Sequence, residues 1–127
     1  MKTIVNEGSA RIRIEKTKKI SKEMGIFYNP VMSLNRDISV LLLNSIAKNN
    51  LQIADPLAAT GVRSIRFLKE LRKNKIKNIC INDYNKDAVK LIKKNEYKRR
   101  QAPPGPHINH TSFIHDWRYP ITSKFKK

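Results

Sequence analysis

Residues 54–67, ADPLAATGVRSIRF, place an aspartate between an apolar stretch and a run of small residues that opens into a helical pattern. Upstream, LQIAD at 51–55 has the length and composition of a short strand. Downstream, Val62, Ile65, Leu68 and Leu71 recur three apart, as one face of a helix near 61–73 requires. Two readings of the loop between them compete, a surface turn and a cradle for a cofactor. A cradle needs small residues so that backbone can approach the ligand, and Ala58, Ala59, Thr60 and Gly61 meet that need. The loop has one glycine and is no G-x-G-x-x-G, so by itself it does not decide the matter.

Working outward, the chain alternates. A second strand is expected at 78–83, NICIND, and Asn85 opens a further helix. That helix carries Asp87 near its start and Lys98, Arg99 and Arg100 near its end, a polarity matched to the helix dipole. The breaker APPGP at 102–106 stops it, and SFIHD at 112–116 reads as a third strand. Ahead of the loop, Asn35 is expected to cap a helix whose apolar face is Ile38, Leu41, Leu42 and Ile46. Residues 1–14 alternate apolar and polar around Gly8, as a hairpin does. Strand, helix, strand, helix, strand with right-handed crossovers gives half of a doubly wound parallel α/β sheet.

Each of the three strands ends in aspartate: Asp55, Asp83 and Asp116. In open α/β sheets ligands lie beyond the carboxyl ends of the strands, and an acid about 20 residues after the first turn is placed to accept from ribose hydroxyls. Asp83 stands 22 residues after Gly61. An acid at the first loop with an arginine beyond it suits a ligand with a charged amino-acid end, as in S-adenosylmethionine. Arg63 and Arg66 would also serve a phosphate, so spacing leaves a nicotinamide or flavin enzyme open.

Composition narrows the partner. A chain of 127 residues supports one core of ordinary size, not two. Lys and Arg number 27 against 10 Asp and Glu, a formal charge of +17, which points to nucleic acid. Residues 69–100 alone contribute +8, whereas 31–68 contribute +2. A solvated helix face and a phosphate-contacting face both fit KLIKKNEYKRR at 90–100. The longest apolar run, ISVLLL, is far short of the roughly 20 residues of a membrane span, and residues 1–25 lack a signal-peptide h-region. Cys80 reads as a small hydrophobe in a strand. His107, His110 and His115 cluster in sequence with no thiol nearby and only Asp116 as a neighbouring carboxylate, so no metal site is expected.

EGSARIRI (7–14), FYNPVMSLNRDISVLLLN (27–44), DPLAATGVRSIRF (55–67) and IND (81–83) together resemble, in order and spacing, the N-terminal part of the tRNA (guanine-N2-)-dimethyltransferases that modify guanine 26 of tRNA. The resemblance implies a partial class I, Rossmann-like methyltransferase fold that uses S-adenosyl-L-methionine, with tRNA as partner, a cytoplasmic location and no membrane. It implies a small β/loop segment over 1–34 ahead of the first half of the methyltransferase domain over 35–127. Carried over by motif, the donor site comprises Arg36, Arg63 and Asp83, with Asp116 at the third strand end, and Phe27 is a platform for the flipped guanine. Arg36 and Arg63 would pair with the methionine carboxylate, Asp83 with the ribose hydroxyls and Asp116 with the adenine amino group.

Each residue also has a plainer reading. Arg36 serves equally as a surface arginine of a first helical turn, Asp83 as a turn former before Asn85, and Phe27 with Tyr28 as an anchor for the N-terminal arm. YNPV at 28–31 partly matches the Asn-Pro-Pro-aromatic motif of amino methyltransferases but lacks its second proline and aromatic. The family's Asp-Pro-Phe-Gly motif is absent, since the one Asp-Pro is Asp55-Pro56. No catalytic proton acceptor is therefore assigned. A second polypeptide supplying the remaining strands, an inactive remnant, and a small basic RNA-binding module are all compatible with the sequence.

Overall fold

The computed structural model describes residues 2–15, 25–100 and 111–113. Strands β1 (Lys2–Glu7) and β2 (Ala10–Glu15) form an antiparallel hairpin, with Lys2 opposite Glu15 and Glu7 opposite Ala10. Its turn uses Gly8 at φ +52°, where a Cβ would also run into the side chains of Glu70 and Arg66. β2 alternates as a strand with one covered face must: Ala10, Ile12 and Ile14 are buried and Arg11 is exposed.

A 3-10 turn at Pro30–Met32 leads directly into helix α1 (Ser33–Ser45). The Asn29 side chain accepts from the Val31 amide at 3.0 Å and Pro30 takes the first position of the turn, so winding begins earlier than Asn35, which lies within α1. The apolar face expected to be buried is exposed instead: Ile38, Leu41 and Leu42 are 55%, 68% and 60% exposed. The buried positions are Arg36 and Val40. Ion pairs fix this rotation of the helix, because Arg36 reaches Glu7 and Asp37 reaches Arg66, both at 2.6 Å.

The remaining elements are β3 (Leu51–Asp55), α2 (Val62–Glu70), β4 (Ile76–Ile81), α3 (Lys86–Arg100) and β5 (Thr111–Phe113). The strands make a parallel sheet in the order β3-β4-β5, with Asp55 beside Ile81 and Cys80 beside Phe113. This is the expected half of a doubly wound sheet. Ile79 and Ile81 of the middle strand are fully buried with Val40, Phe67, Leu68 and Ile92. α2 serves two cores. Phe67 and Leu68 pack toward the sheet, whereas Val62 and Ile65 pack with Ala10, Ile12, Ile14 and Tyr28. Each buried aliphatic side chain contributes about 1.5–3 kcal/mol, so the hairpin is held to α2 by several kcal/mol of apolar contact.

Asn85 opens α3 as expected, its Oδ1 accepting from the Asp87 amide at 2.9 Å. Within the basic stretch, Lys75 is buried and its Nζ donates to the Ile46 carbonyl that ends α1, where the helix dipole favours a cation. Cys80 is half-buried in β4, and burial pushes its thiol up, away from a reactive thiolate.

Candidate functional site

The loop after β3 is held to the end of β4 by its backbone. The Asn82 amide donates to the Asp55 carbonyl and the Ala58 amide to the Asn82 carbonyl, both at 2.9 Å, so the ladder runs on past the strands. Ala59 then turns at φ +49°, and its amide donates to Asp83 Oδ2 at 2.9 Å. Gly61, at φ +76°, starts α2, and a Cβ there would lie 3.2 Å from Ile92 Cγ1. From α3, Asn95 donates to the Thr60 carbonyl at 3.1 Å and bonds both ways with the backbone of Arg13. The loop is thus fixed from three sides.

Asp83 is 8% exposed and uses each oxygen once: Oδ2 for Ala59, and Oδ1 for the Asn85 amide at 2.9 Å. The turn-forming role weighed from the sequence is therefore present. It leaves a free lone pair on each oxygen for a further donor. Beside it, Asn82 Oδ1 is buried with no hydrogen-bond partner among the described residues.

An open cleft enclosing about 450 Å³, solvent included, lies against this loop. Phe27, Arg36, Asp55, Leu57, Ala59 and Arg63 are among its lining. Three of the residues predicted from the sequence, Phe27, Arg36 and Arg63, thus meet at one place. Asp83 braces the loop that forms the wall, and Asp116 lies outside the described residues.

The two arginines are in different electrostatic states. Arg36 is 5% exposed and its charge is matched: Nε and Nη2 donate to the two Glu7 oxygens at 2.6 Å, and Nη2 also donates to the Asn29 carbonyl at 2.9 Å. Its guanidinium lies 5.5 Å from the centre of the Tyr28 ring. Arg63 donates only to neutral oxygens, Ser39 Oγ at 2.5 Å and Asn35 Oδ1 at 2.8 Å. Among the described residues no carboxylate comes within ion-pair distance of it, so Arg63 is the cleft's cation without a direct ion pair.

Asp55 completes the set. Burial pushes its carboxyl above the usual aspartate range, the Ser64 hydroxyl and the Arg63 charge pull it back, and the Asp83 charge adds to the rise. Ser64 Oγ donates to Asp55 Oδ2 at 2.6 Å. Sequence reasoning marked Asp55 only as the acid of the first loop. It overlooked Glu7, whose sole signal was an acid inside the EGSARIRI stretch. The cleft offers a guanidinium bonded only to neutral oxygens, a half-buried carboxylate and an aromatic ring, and a second carboxylate with spare lone pairs, Asp83, stands behind its wall. That set fits a ligand with an amino-acid end and hydroxyls.

A family model described as N2,N2-dimethylguanosine tRNA methyltransferase matches residues 8–113. The chain belongs to that family. Within it, the tRNA (guanine(26)-N(2))-dimethyltransferase of Methanococcus maripaludis is 40% identical over 96 residues, covering 72% of this chain and 26% of the relative. The solved structure of Trm1 from Pyrococcus horikoshii with S-adenosyl-L-methionine superposes with a TM-score of 0.61 at 41% identity, over 73% of this chain and 22% of that one. Trm5b from Pyrococcus abyssi superposes with a TM-score of 0.62 at 19% identity, over 92% of this chain and 29% of that one, a likeness of fold alone. This member of the dimethyltransferase family spans about a quarter of the length of such relatives. Its fold is a partial Rossmann-like methyltransferase domain behind a hairpin. Among the described residues no helix is long and apolar enough to cross a membrane, and no cluster of His, Cys, Asp or Glu can hold a metal ion.

Proposed function

We propose that this chain carries the S-adenosyl-L-methionine-binding part of an enzyme that methylates the exocyclic N2 of guanine 26 in tRNA. The observation that carries the reading is the placement of Arg63, hydrogen-bonded only to neutral oxygens, beside Asp55 and a wall braced by Asp83, at the carboxyl ends of parallel strands. Arg63 takes the ligand's carboxylate, with Arg36 as a second donor. Asp55 takes the ammonium group and Asp83 the ribose hydroxyls, while Asp116 accepts from the adenine amino group. Phe27, 43% exposed at the cleft, is the platform for the guanine. When bound, S-adenosyl-L-methionine supplies a sulfonium-linked methyl group.

Guanine N2 is a weak nucleophile, so transfer needs an aligned amine and an acceptor for its proton. No described residue of the cleft is assigned that acceptor. Residues beyond these 127, on the same or on a second polypeptide, supply it along with the remaining strands, and the whole works on tRNA in the cytoplasm. Titration calorimetry of the 127-residue chain with S-adenosyl-L-methionine tests the reading, with saturable binding expected. Absence of binding, with tRNA binding retained, would instead support the basic RNA-binding module. That second reading draws on the +17 charge and on the exposed Lys93 and Lys94 of α3.

A further inference from the structure

Glu7 closes β1, is not part of the cleft's lining and has no part in the function proposed above. Its carboxylate is nevertheless where four segments meet. Arg36 of α1 donates to it twice at 2.6 Å, the Tyr28 hydroxyl donates at 2.9 Å, and Arg66 of α2 comes within 3.3 Å. Burial opposes the charge on Glu7, but hydrogen bonds from Arg36 and Tyr28, together with the Arg36 charge, outweigh it and hold the carboxyl below the usual glutamate range. Tyr28 responds in the opposite direction, its hydroxyl pushed up to about 12 by burial and by the bond to Glu7. The acid stays ionised and the phenol stays neutral, the states that the geometry requires.

Arg36 and Tyr28 both line the cleft, and Phe27 beside Tyr28 lines it too. A guanidinium is a rigid planar fork, so fixing one edge fixes the other. With Nε and Nη2 engaged by Glu7, Nη1 is the nitrogen left over for a ligand. We infer that Glu7 is a positioning residue: through Arg36 and Tyr28 it sets the cleft wall that receives the amino-acid end of the methyl donor. This rests on the donor-binding reading above. It gives the hairpin a part in ligand recognition although no hairpin residue touches the cleft.

The test compares two ligands on the full 127-residue chain. S-adenosylhomocysteine carries the amino-acid end, and methylthioadenosine lacks it. Glu7→Gln keeps the side chain's size but cannot accept both Arg36 bonds, so S-adenosylhomocysteine affinity is expected to fall about tenfold or more while methylthioadenosine affinity moves less than twofold. Glu7→Asp keeps the charge and shortens the reach, and it is expected to show the same split should the glutamine variant fail to fold. Parallel loss of both ligands in the folded variant would make Glu7 a scaffold residue and overturn the inference. A rise in S-adenosylhomocysteine affinity would overturn it too, by making Glu7 a competitor for Arg36. No binding of either ligand by the unaltered chain would overturn the donor reading itself, and this inference with it.

Discussion

The carboxylate of Asp83 holds the amide of Ala59 at 2.9 Å while Ala59 sits at φ +49°, so the acid at the end of one strand fixes the strained turn that follows another. An alanine in the left-handed region costs about 1–2 kcal/mol and persists only where its surroundings hold it. Asp83→Ala is expected to weaken S-adenosyl-L-methionine binding by about 1–3 kcal/mol. It should also lower folding stability by about 1–3 kcal/mol, because two partly buried amides lose their acceptor. Calorimetry and thermal melts read the two effects separately. Lower stability with intact affinity would leave Asp83 as a turn former alone.

The two arginines should separate in the same pair of measurements. Arg36→Gln leaves Glu7 buried with only Arg66 as a cationic neighbour, so a stability loss of about 3 kcal/mol is expected. Arg63→Gln removes a cation that bonds only neutral oxygens, so stability should change by less than about 1 kcal/mol. Donor affinity should fall about tenfold or more in the Arg63 variant. Equal stability losses would show that the two charges are not held differently.

Gly61→Ala tests the contact between the loop and α3. The new Cβ meets Ile92 at 3.2 Å from a backbone at φ +76°, so about 1–3 kcal/mol of stability should be lost. In an Ile92→Ala background, which removes both Cγ atoms that the new Cβ would meet, Gly61→Ala should cost less than in the unaltered chain. An equal cost in both backgrounds would assign the whole effect to the backbone angle.

Hydrogen bonds from Arg66 outweigh burial at Glu70, aided by the Ser9 amide and the Arg66 charge, and hold its carboxyl below the ordinary glutamate value of 4.5. A lowered folded-state pKa stabilises fully above the unfolded value, and that contribution is lost as pH falls through the folded one. The melting temperatures of the unaltered chain and Glu70→Gln should therefore differ most above pH 5 or so and converge at lower pH. Asp55 works in the opposite sense, since burial raises its pKa and its cost is relieved as pH falls. Because Asp55 is common to both chains, the difference isolates Glu70. A constant gap across the acid range would mean that the Arg66 pairing does not carry the shift.

The strand-helix-strand-helix-strand core was legible because its signals are local. Val62, Ile65 and Leu68 mark α2 by spacing alone, and Asn85 announces α3 by its capping side chain. α1 was legible as a helix but not in its orientation. The row containing Ile38 and Leu42 has the stronger hydrophobic pattern, yet Arg36 is the residue turned inward, because its acid is 29 positions away on the hairpin. No period within one helix carries that information. For the same reason Phe27, Arg36 and Arg63 were named one by one, whereas the difference between a matched and an unmatched arginine emerged only from the fold.

The exposed aliphatic row of α1 has a consequence for handling the chain in bulk. Leu34, Ile38, Leu41 and Leu42 stand in solvent on a molecule of formal charge +17. In dilute buffer, mutual repulsion keeps such rows apart, since the screening length is about 30 Å at 0.01 M salt. Near physiological ionic strength it shrinks to about 8 Å, while the attraction between apolar surfaces persists. The chain should accordingly act as a charge-stabilised colloid, clear at low salt and turbid as salt is added, the reverse of a protein that salts in.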